Sequence, residues 1–193
     1  MSKRRAEHAL DTIFLERWSP RAMSGESFTH EELMSLFEAA KWAPSSYNNQ
    51  PWRFIYVLRE TAHWQKFFDL LVPFNQSWAN KAAVLVVVAG HKNFEFNGKP
   101  SRTFAFDTGA AWANLALQAS ISGFIAHGME GFDYNRAQTE LNIPADYEVL
   151  AMIAIGKPGK KEDLSAELQE KEEPSDRKPL AEIVFEGLLG VKS

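Results

Sequence analysis

Nine consecutive residues near the middle of the chain, 82–90 (AAVLVVVAG), carry no polar side chain. The run is less than half of the roughly 20 residues a bilayer-crossing helix needs, and its β-branched content favours extended backbone. Residues 82–89 are therefore predicted to form a strand covered on both faces, which demands a layered domain with structure on each side of a sheet. Residues 52–58 (WRFIYVL) and 147–155 (YEVLAMIAI) read the same way, and residues 123–128 (GFIAHG) predict a further short strand.

Helical patterns lie between these runs. Ala6, Ala9, Leu10, Ile13 and Phe14 recur at spacings of three and four, predicting an amphipathic helix over residues 6–17 that stops before Pro20. Thr29 with Glu32 is a capping box, followed by Leu33, Leu36, Phe37 and Ala40 on one face of a second helix that Pro44 closes. A long helix is expected over residues 101–122 with Gly123 as its stop, and a short one from Asp133 as N-cap to Asn142. The long helix holds Gly109, Ala110, Ala111, Ala113, Ala116 and Ala119, small residues that admit a close neighbour and suggest a subunit interface. Strands alternating with helices suggest, on pattern alone, a parallel α/β sheet. No repeat or linker divides the chain, so residues 1–193 are expected to form one domain. Residues 157–178 (KPGKKEDLSAELQEKEEPSDRK) read as a charged surface excursion, and the apolar residues 179–189 after it should dock on something.

Composition removes whole classes of function. Zero cysteine excludes thiol catalysis, disulfides, thiolate zinc sites and iron–sulfur ligation. A net charge of −4 argues against nucleic acid as a partner. The start, MSKRRAEHAL, is charged where a signal peptide would be apolar, so a cytoplasmic location without membrane attachment is expected. Neither G-x-G-x-x-G nor G-x-x-x-x-G-K-[ST] occurs, and the GKPGK of residues 156–160 reads as a turn. The five histidines show no metal-ligand spacing, and G-x-S-x-G is missing.

Three polar constellations remain. Arg17-Trp18-Ser19-Pro20-Arg21 puts two guanidiniums and a hydroxyl on a stiff turn, suited to a phosphate or, more simply, to a helix C-terminus. Pro44-Ser45-Ser46-Tyr47-Asn48-Asn49-Gln50-Pro51-Trp52 is dense in amides, as the edge of a flat heterocycle would require, and equally consistent with a turn whose asparagines accept left-handed backbone. Gly128-Met129-Glu130-Gly131-Phe132-Asp133 runs from a strand into a helix start, where backbone N–H groups can meet negative charge or simply turn the chain.

In this order and at these separations, the R-x-S-x-R, P-S-S-x-N-x-Q-P-W and G-x-E-G-F-D motifs resemble the FMN-dependent nitroreductase family. Residues 107–115 (DTGAAWANL) resemble that family's central helix, and residues 176–180 (DRKPL) its closing basic motif. The resemblance covers essentially the whole chain, and the second motif is its most specific element. It implies an α+β three-layer fold with a mixed, mostly antiparallel sheet flanked by helices, in an intertwined homodimer with two FMN sites at the interface. That replaces the parallel sheet the pattern alone suggests.

Carried over residue by residue, the resemblance puts Arg17, Trp18, Ser19 and Arg21 at the FMN phosphate, ribityl chain and pyrimidine edge, with Arg177 on the phosphate. Pro44, Ser45, Ser46, Asn48 and Gln50 would approach the isoalloxazine from the other subunit, and Met129, Glu130 and Gly131 would bring backbone groups near N5 and O4. Asn75 matches a family asparagine at the cofactor. The implied chemistry is hydride transfer from NAD(P)H to a tightly bound FMN and then, ping-pong, to a nitroaromatic, a quinone or a similar acceptor. Arg21 is the residue nearest a catalytic role, stabilising the reduced flavin electrostatically. Its family counterpart is often lysine, and arginine keeps the charge but does not donate a proton. Ser175 stands where many members carry lysine, and Lys178 is a candidate to compensate. Aromatics in residues 71–78 and 94–106 are either lid or packing. The competing reading is a flavin-binding sensor or carrier without turnover.

Overall fold

The computed structural model describes residues 4–190. Four strands, β1 (Trp52–Leu58), β2 (Val84–His91), β3 (Ile125–Met129) and β4 (Tyr147–Gly156), form one sheet in the order β1-β2-β4-β3. Every neighbouring pair is antiparallel. β2 and β3, each antiparallel to β4, therefore run in the same direction, joined by the long helix α5 (Phe104–Ile121). The strand–helix–strand unit that pattern reading takes for parallel pairing is present, but β4 inserts between its two strands and turns every ladder antiparallel.

The apolar run behaves as its composition requires. Along β2 alternate residues face opposite layers. Val84, Val86 and Val88 pack with Leu33 and Leu36 of α2 (His30–Lys41) and Ala111, Leu115 and Ala119 of α5. Leu85, Val87 and Ala89 pack on the other side with Phe67 of α3 (Trp64–Phe68), Trp78 of α4 (Pro73–Ala79), Ala137 of α6 (Tyr134–Glu140) and Leu168 of α7 (Ala166–Glu170). Each buried valine or leucine contributes about 1.5–3 kcal/mol relative to exposure, so this strand holds the three layers together. β1, expected to be covered on both faces, is a sheet edge: Arg53, Tyr56 and Leu58 are exposed where the helices end.

Thr29 and Glu32 form the reciprocal capping box at the start of α2, and Asp133 caps α6. Gly123 ends α5 with φ +74°. The expected helix over residues 6–17 shrinks to α1 (Ile13–Glu16), with Ala6, Ala9 and Leu10 exposed. Its apolar stripe finds no surface to cover, and Arg4 instead donates to the carbonyls of Leu15 and Arg17 at 2.9 and 2.8 Å, folding the arm over the end of α1. Residues 157–178 are not wholly a surface excursion, because α7 buries Leu168 in the core and Glu172 is buried as well. The GKPGK segment is a turn: Lys157 O accepts from Ser24 N–H, Gly159 N–H donates to Ala22 O, and Gly159 packs so tightly on Met23 that a Cβ would lie 2.5 Å from its backbone. At a 3₁₀ turn over Leu180–Glu182 the tail touches the N-terminal arm, Leu180 N–H donating to Glu7 Oε1 at 2.9 Å, while Ile183, Val184, Leu188 and Leu189 beyond it lie exposed. Among the described residues no helix is long and apolar enough to cross a membrane.

Candidate functional site

The segment leaving α1 is held at three points before it becomes an added strip beside the end of β4. Pro20 O lies 3.0 Å from His127 Nδ1 on β3; a carbonyl only accepts, so that nitrogen carries the proton. Burial foremost, and the charge of Arg21, hold the imidazole below its usual pKa against the opposing bond to Pro20, and so favour the neutral ring. Glu172 Oε1 accepts from Arg21 N–H at 2.6 Å and Ala22 N–H at 2.8 Å. Met23 then bridges to Pro158.

This path brings Arg17, Trp18, Ser19 and Arg21 to one cavity of about 250 Å³, with Arg4, His127, Lys171, Glu173, Ser175 and Arg177. Burial first, then Arg177 and Arg4, lower the pKa of Arg17. Burial and Arg177 lower that of Arg4, partly offset by Asp176. Guanidiniums that destabilise one another's charge in this way form a concentrated positive field. Arg17 reaches the Ser19 hydroxyl at 3.4 Å, Arg4 donates to Ser175 O at 2.7 Å, and Arg177 donates to Ser175 Oγ at 3.1 Å. Ser175 is thus a hinge between two arginines. Arg21 Nε is buried without a hydrogen-bond partner. Such an orphaned donor beside a cluster of cations fits an anion of about two charges that the fork geometry of arginine engages.

A second cavity of about 430 Å³ shares Arg17 and Ser19 with the first and continues along Phe14, Trp112, Ala113, Ala116, Leu117 and Gly128. Small residues of α5 and β3 alternate in its walls with the indole of Trp112, the ring of Phe14 and Leu117. A Cβ at Gly128 would lie 3.1 Å from Trp112 Cζ2, so glycine lets the ring lie against β3.

At the end of β3, Met129 is buried and Glu130 exposed. Gly131 O accepts from Asn75 Nδ2 at 3.0 Å and Val72 N–H at 3.1 Å, and a Cβ on Gly131 would lie 2.8 Å from Asn75 Nδ2. Asn75, buried on α4, is thereby joined to the turn over residues 129–131 through its side-chain amide.

The loop over residues 44–50 stands elsewhere. Ser46 N–H donates to the buried Asp107 Oδ2 in the first turn of α5, Ser45 Oγ accepts from Gln50 N–H, and Gln50 Nε2 donates to Asn48 O. Pro44 is exposed. Tyr47, Asn48 and Gln50 have φ of 52°, 53° and 47°, a left-handed conformation that costs about 1–3 kcal/mol for a residue other than glycine. Asn49 holds the loop from beneath, donating to Asn93 O at 3.2 Å and accepting from Glu95 N–H at 3.0 Å. The exposed Tyr47 ring meets Phe94 and Phe96 at 5.6 Å each. Tyr47, Asn48, Asn49 and Gln50 line a cavity of about 390 Å³ with Arg53, Glu95 and Phe96. Asp107 and Ala116 are nine positions apart on α5, roughly 14 Å at 1.5 Å per residue. The loop thus anchors at the start of α5, away from Ala116, and shares no lining residue with the arginine cavity.

Sequence reading missed Arg4, Lys171, Glu172 and Trp112. Arg4 stands in a basic start, KRR, that carries no spacing signal, and Glu172 lies in a charge run indistinguishable from a solvated face.

The model of the nitroreductase family matches residues 15–72 and 61–157. A crystal structure described as an oxidoreductase containing FMN is similar at 43% identity and a TM-score of 0.93, over 98% of this chain and 97% of that one. Protein DrgA of Synechocystis sp. is 30% identical over 189 residues, covering 78% of this chain and 87% of the relative. An NADH dehydrogenase of Thermus thermophilus is 26% identical over 205 residues, covering 90% and 94%.

Proposed function

The chain belongs to the nitroreductase family, and from that membership we propose that it is an FMN-dependent oxidoreductase that takes hydride from NAD(P)H and reduces a nitroaromatic, a quinone or a similar flat acceptor. The observation that carries this reading is the arginine cavity opening into the slot beside Trp112. A phosphomonoester bears about −1.5 to −2 charges near neutral pH, which matches the mutually repelling guanidiniums, and the orphaned Arg21 Nε leaves a donor beside them for another part of the same ligand.

In this reading Arg17, Ser19, Arg177 and Arg4 hold the phosphate. Arg4 and Arg177 meet at Ser175, so an arginine supplied from the first residues replaces the family lysine missing at 175. Trp18, beside them in the cavity wall, excludes water. Arg21 offers the positive charge that meets the pyrimidine edge. Asn75 aims the turn of Met129, Glu130 and Gly131 through one N–H of its amide, leaving its other N–H and its carbonyl oxygen for the cofactor. When bound, FMN would supply the redox chemistry, two-electron transfer from NAD(P)H to a second substrate in a ping-pong order.

The loop of Pro44, Ser45, Ser46, Asn48 and Gln50 completes the site from a second copy. Two observations support a homodimer: the loop lies away from the arginine cavity of its own protomer, and α5 exposes Phe106, Gly109, Ala113 and Ile121 along one side. Its polar, strained backbone then faces the flavin edge of the partner.

The test is an anaerobic absorption spectrum of the purified protein before and after NADH and then NADPH, with the released cofactor identified by chromatography. Flavin bands that bleach within the mixing time support the reading and rank the donors. Flavin that binds but resists both donors sinks the reductase and favours a carrier. Protein that refuses added FMN sinks both.

A further inference from the structure

Among the described residues, Glu172 is the buried acid whose carboxylate touches the backbone of the arginine-bearing segment in two places. Its side chain is 4% exposed. Oε1 is shared by the N–H groups of Arg21 and Ala22, while Oε2 makes no hydrogen bond and sits 3.8 Å from Arg21 Nη1. At that distance the two charges interact without a formed hydrogen bond. His127 holds the preceding carbonyl from the opposite side. α7 carries Glu172 in, anchored by Leu168 in the core, and Glu172 N–H closes on Gln169 O at 3.2 Å.

We propose that Glu172 is a positioning residue with two separable effects: Oε1 fixes the backbone from which Arg21 projects, and the charge on Oε2 offsets part of the Arg21 guanidinium, setting how strongly that cation favours the negative charge a flavin gains on reduction. The charge effect rests on the flavin reading above; the clamp does not.

Glu172→Gln separates the two effects, since the amide keeps an oxygen for both N–H groups and removes the charge. Glu172→Ala removes both. Hydrogen exchange at the Arg21 and Ala22 amides reads the clamp without any cofactor. It should be within threefold of wild type in Glu172→Gln and at least tenfold faster in Glu172→Ala, with exchange in β2 unchanged as the control for folding. Unchanged exchange in Glu172→Ala overturns the clamp.

The flavin midpoint potential reads the charge. Glu172→Gln should bind the reduced cofactor about tenfold better relative to the oxidised one, which for a two-electron couple raises the potential by about 30 mV. In an Arg21→Ala background the same substitution should move it less, because the carboxylate acts through the guanidinium. A potential that stays put or falls in Glu172→Gln, or an equal shift in both backgrounds, overturns the offset. A wild-type protein that takes up no FMN overturns the flavin reading and the offset with it, and exchange still decides the clamp.

Discussion

Arg17 sits between two other guanidiniums and is partly buried, and both circumstances disfavour its charge. A bound dianion reverses the balance, so Arg17 and Arg177 should each matter more to cofactor affinity than a surface arginine would. Hydrogen bonds to charged groups contribute about 1.5–3 kcal/mol, so Arg17→Ala should weaken FMN binding by roughly 10- to 100-fold, read by fluorescence titration. Binding that is unchanged would remove Arg17 from the site. Arg21 acts on the reaction more than on affinity. Arg21→Ala should keep measurable FMN while slowing reduction by NAD(P)H by about 10²-fold, the scale on which one electrostatic stabiliser acts. Stopped-flow bleaching at wild-type rate would end that assignment. His127 makes a stability prediction. Its pKa is held below 6.5 by burial first and then by Arg21, against the bond to Pro20 and the charge of Glu172. The unfolded chain therefore takes up a proton here before the folded one does, so the stabilisation is present above pH 6.5 and is lost as pH falls through the folded value. In urea melts at descending pH, His127→Asn should lose stability less steeply than wild type below pH 6.5, and parallel slopes would refute it.

Elements were legible in the sequence where their causes are local. The capping box of α2, the N-cap of α6, the Gly123 stop and the apolar runs of β2 and β4 each depend on residues within a few positions, and each formed. What depends on remote surfaces was not legible. The 6–17 stripe has helical spacing but no layer to cover, and the direction of β3 relative to its neighbour follows from where β4 inserts, which no spacing encodes. Among the candidate site residues, those of the R-x-S-x-R motif and Arg177 reached one cavity, whereas Glu172 and Arg4 acquired their places only through long-range contacts. The 44–50 loop joins the two kinds: its amides were visible, but the two-handed hold of Asn49 on the backbone of Asn93 and Glu95 was not. Asn49→Ala would strand both backbone groups, at about 1–3 kcal/mol each. It should lower the unfolding free energy by roughly 2–6 kcal/mol and speed amide exchange in residues 45–50 and 93–96 together. Exchange rising in only one of the two segments would show that they are not coupled.

On the scale of the whole molecule, each half of the site looks unfinished in a single copy. The slot that continues from the arginine cavity lies beside the middle of α5 and the strained loop at its start, while the outer side of α5 and the tail from Ile183 to Leu189 leave large apolar side chains in water. Exposed large apolar side chains mark interaction surfaces where they gather, and a two-fold axis along α5 would bury those on its outer side while bringing the loop of one copy to the cavity of the other. Gly109 offers a clean probe, being exposed on that side of α5 with nothing within 4 Å of a Cβ built there. Gly109→Glu should therefore leave the isolated protomer folded, with gains in helix propensity of up to about 1 kcal/mol, yet place two like charges against each other across the axis. Sedimentation equilibrium should show a dimer for wild type and a monomer for Gly109→Glu, and the monomer should lose FMN affinity although no residue of the arginine cavity has changed. A monomeric Gly109→Glu that binds FMN as wild type does would mean that one protomer holds the cofactor alone and that the loop over residues 44–50 serves something else. A variant that stays dimeric would move the axis away from α5.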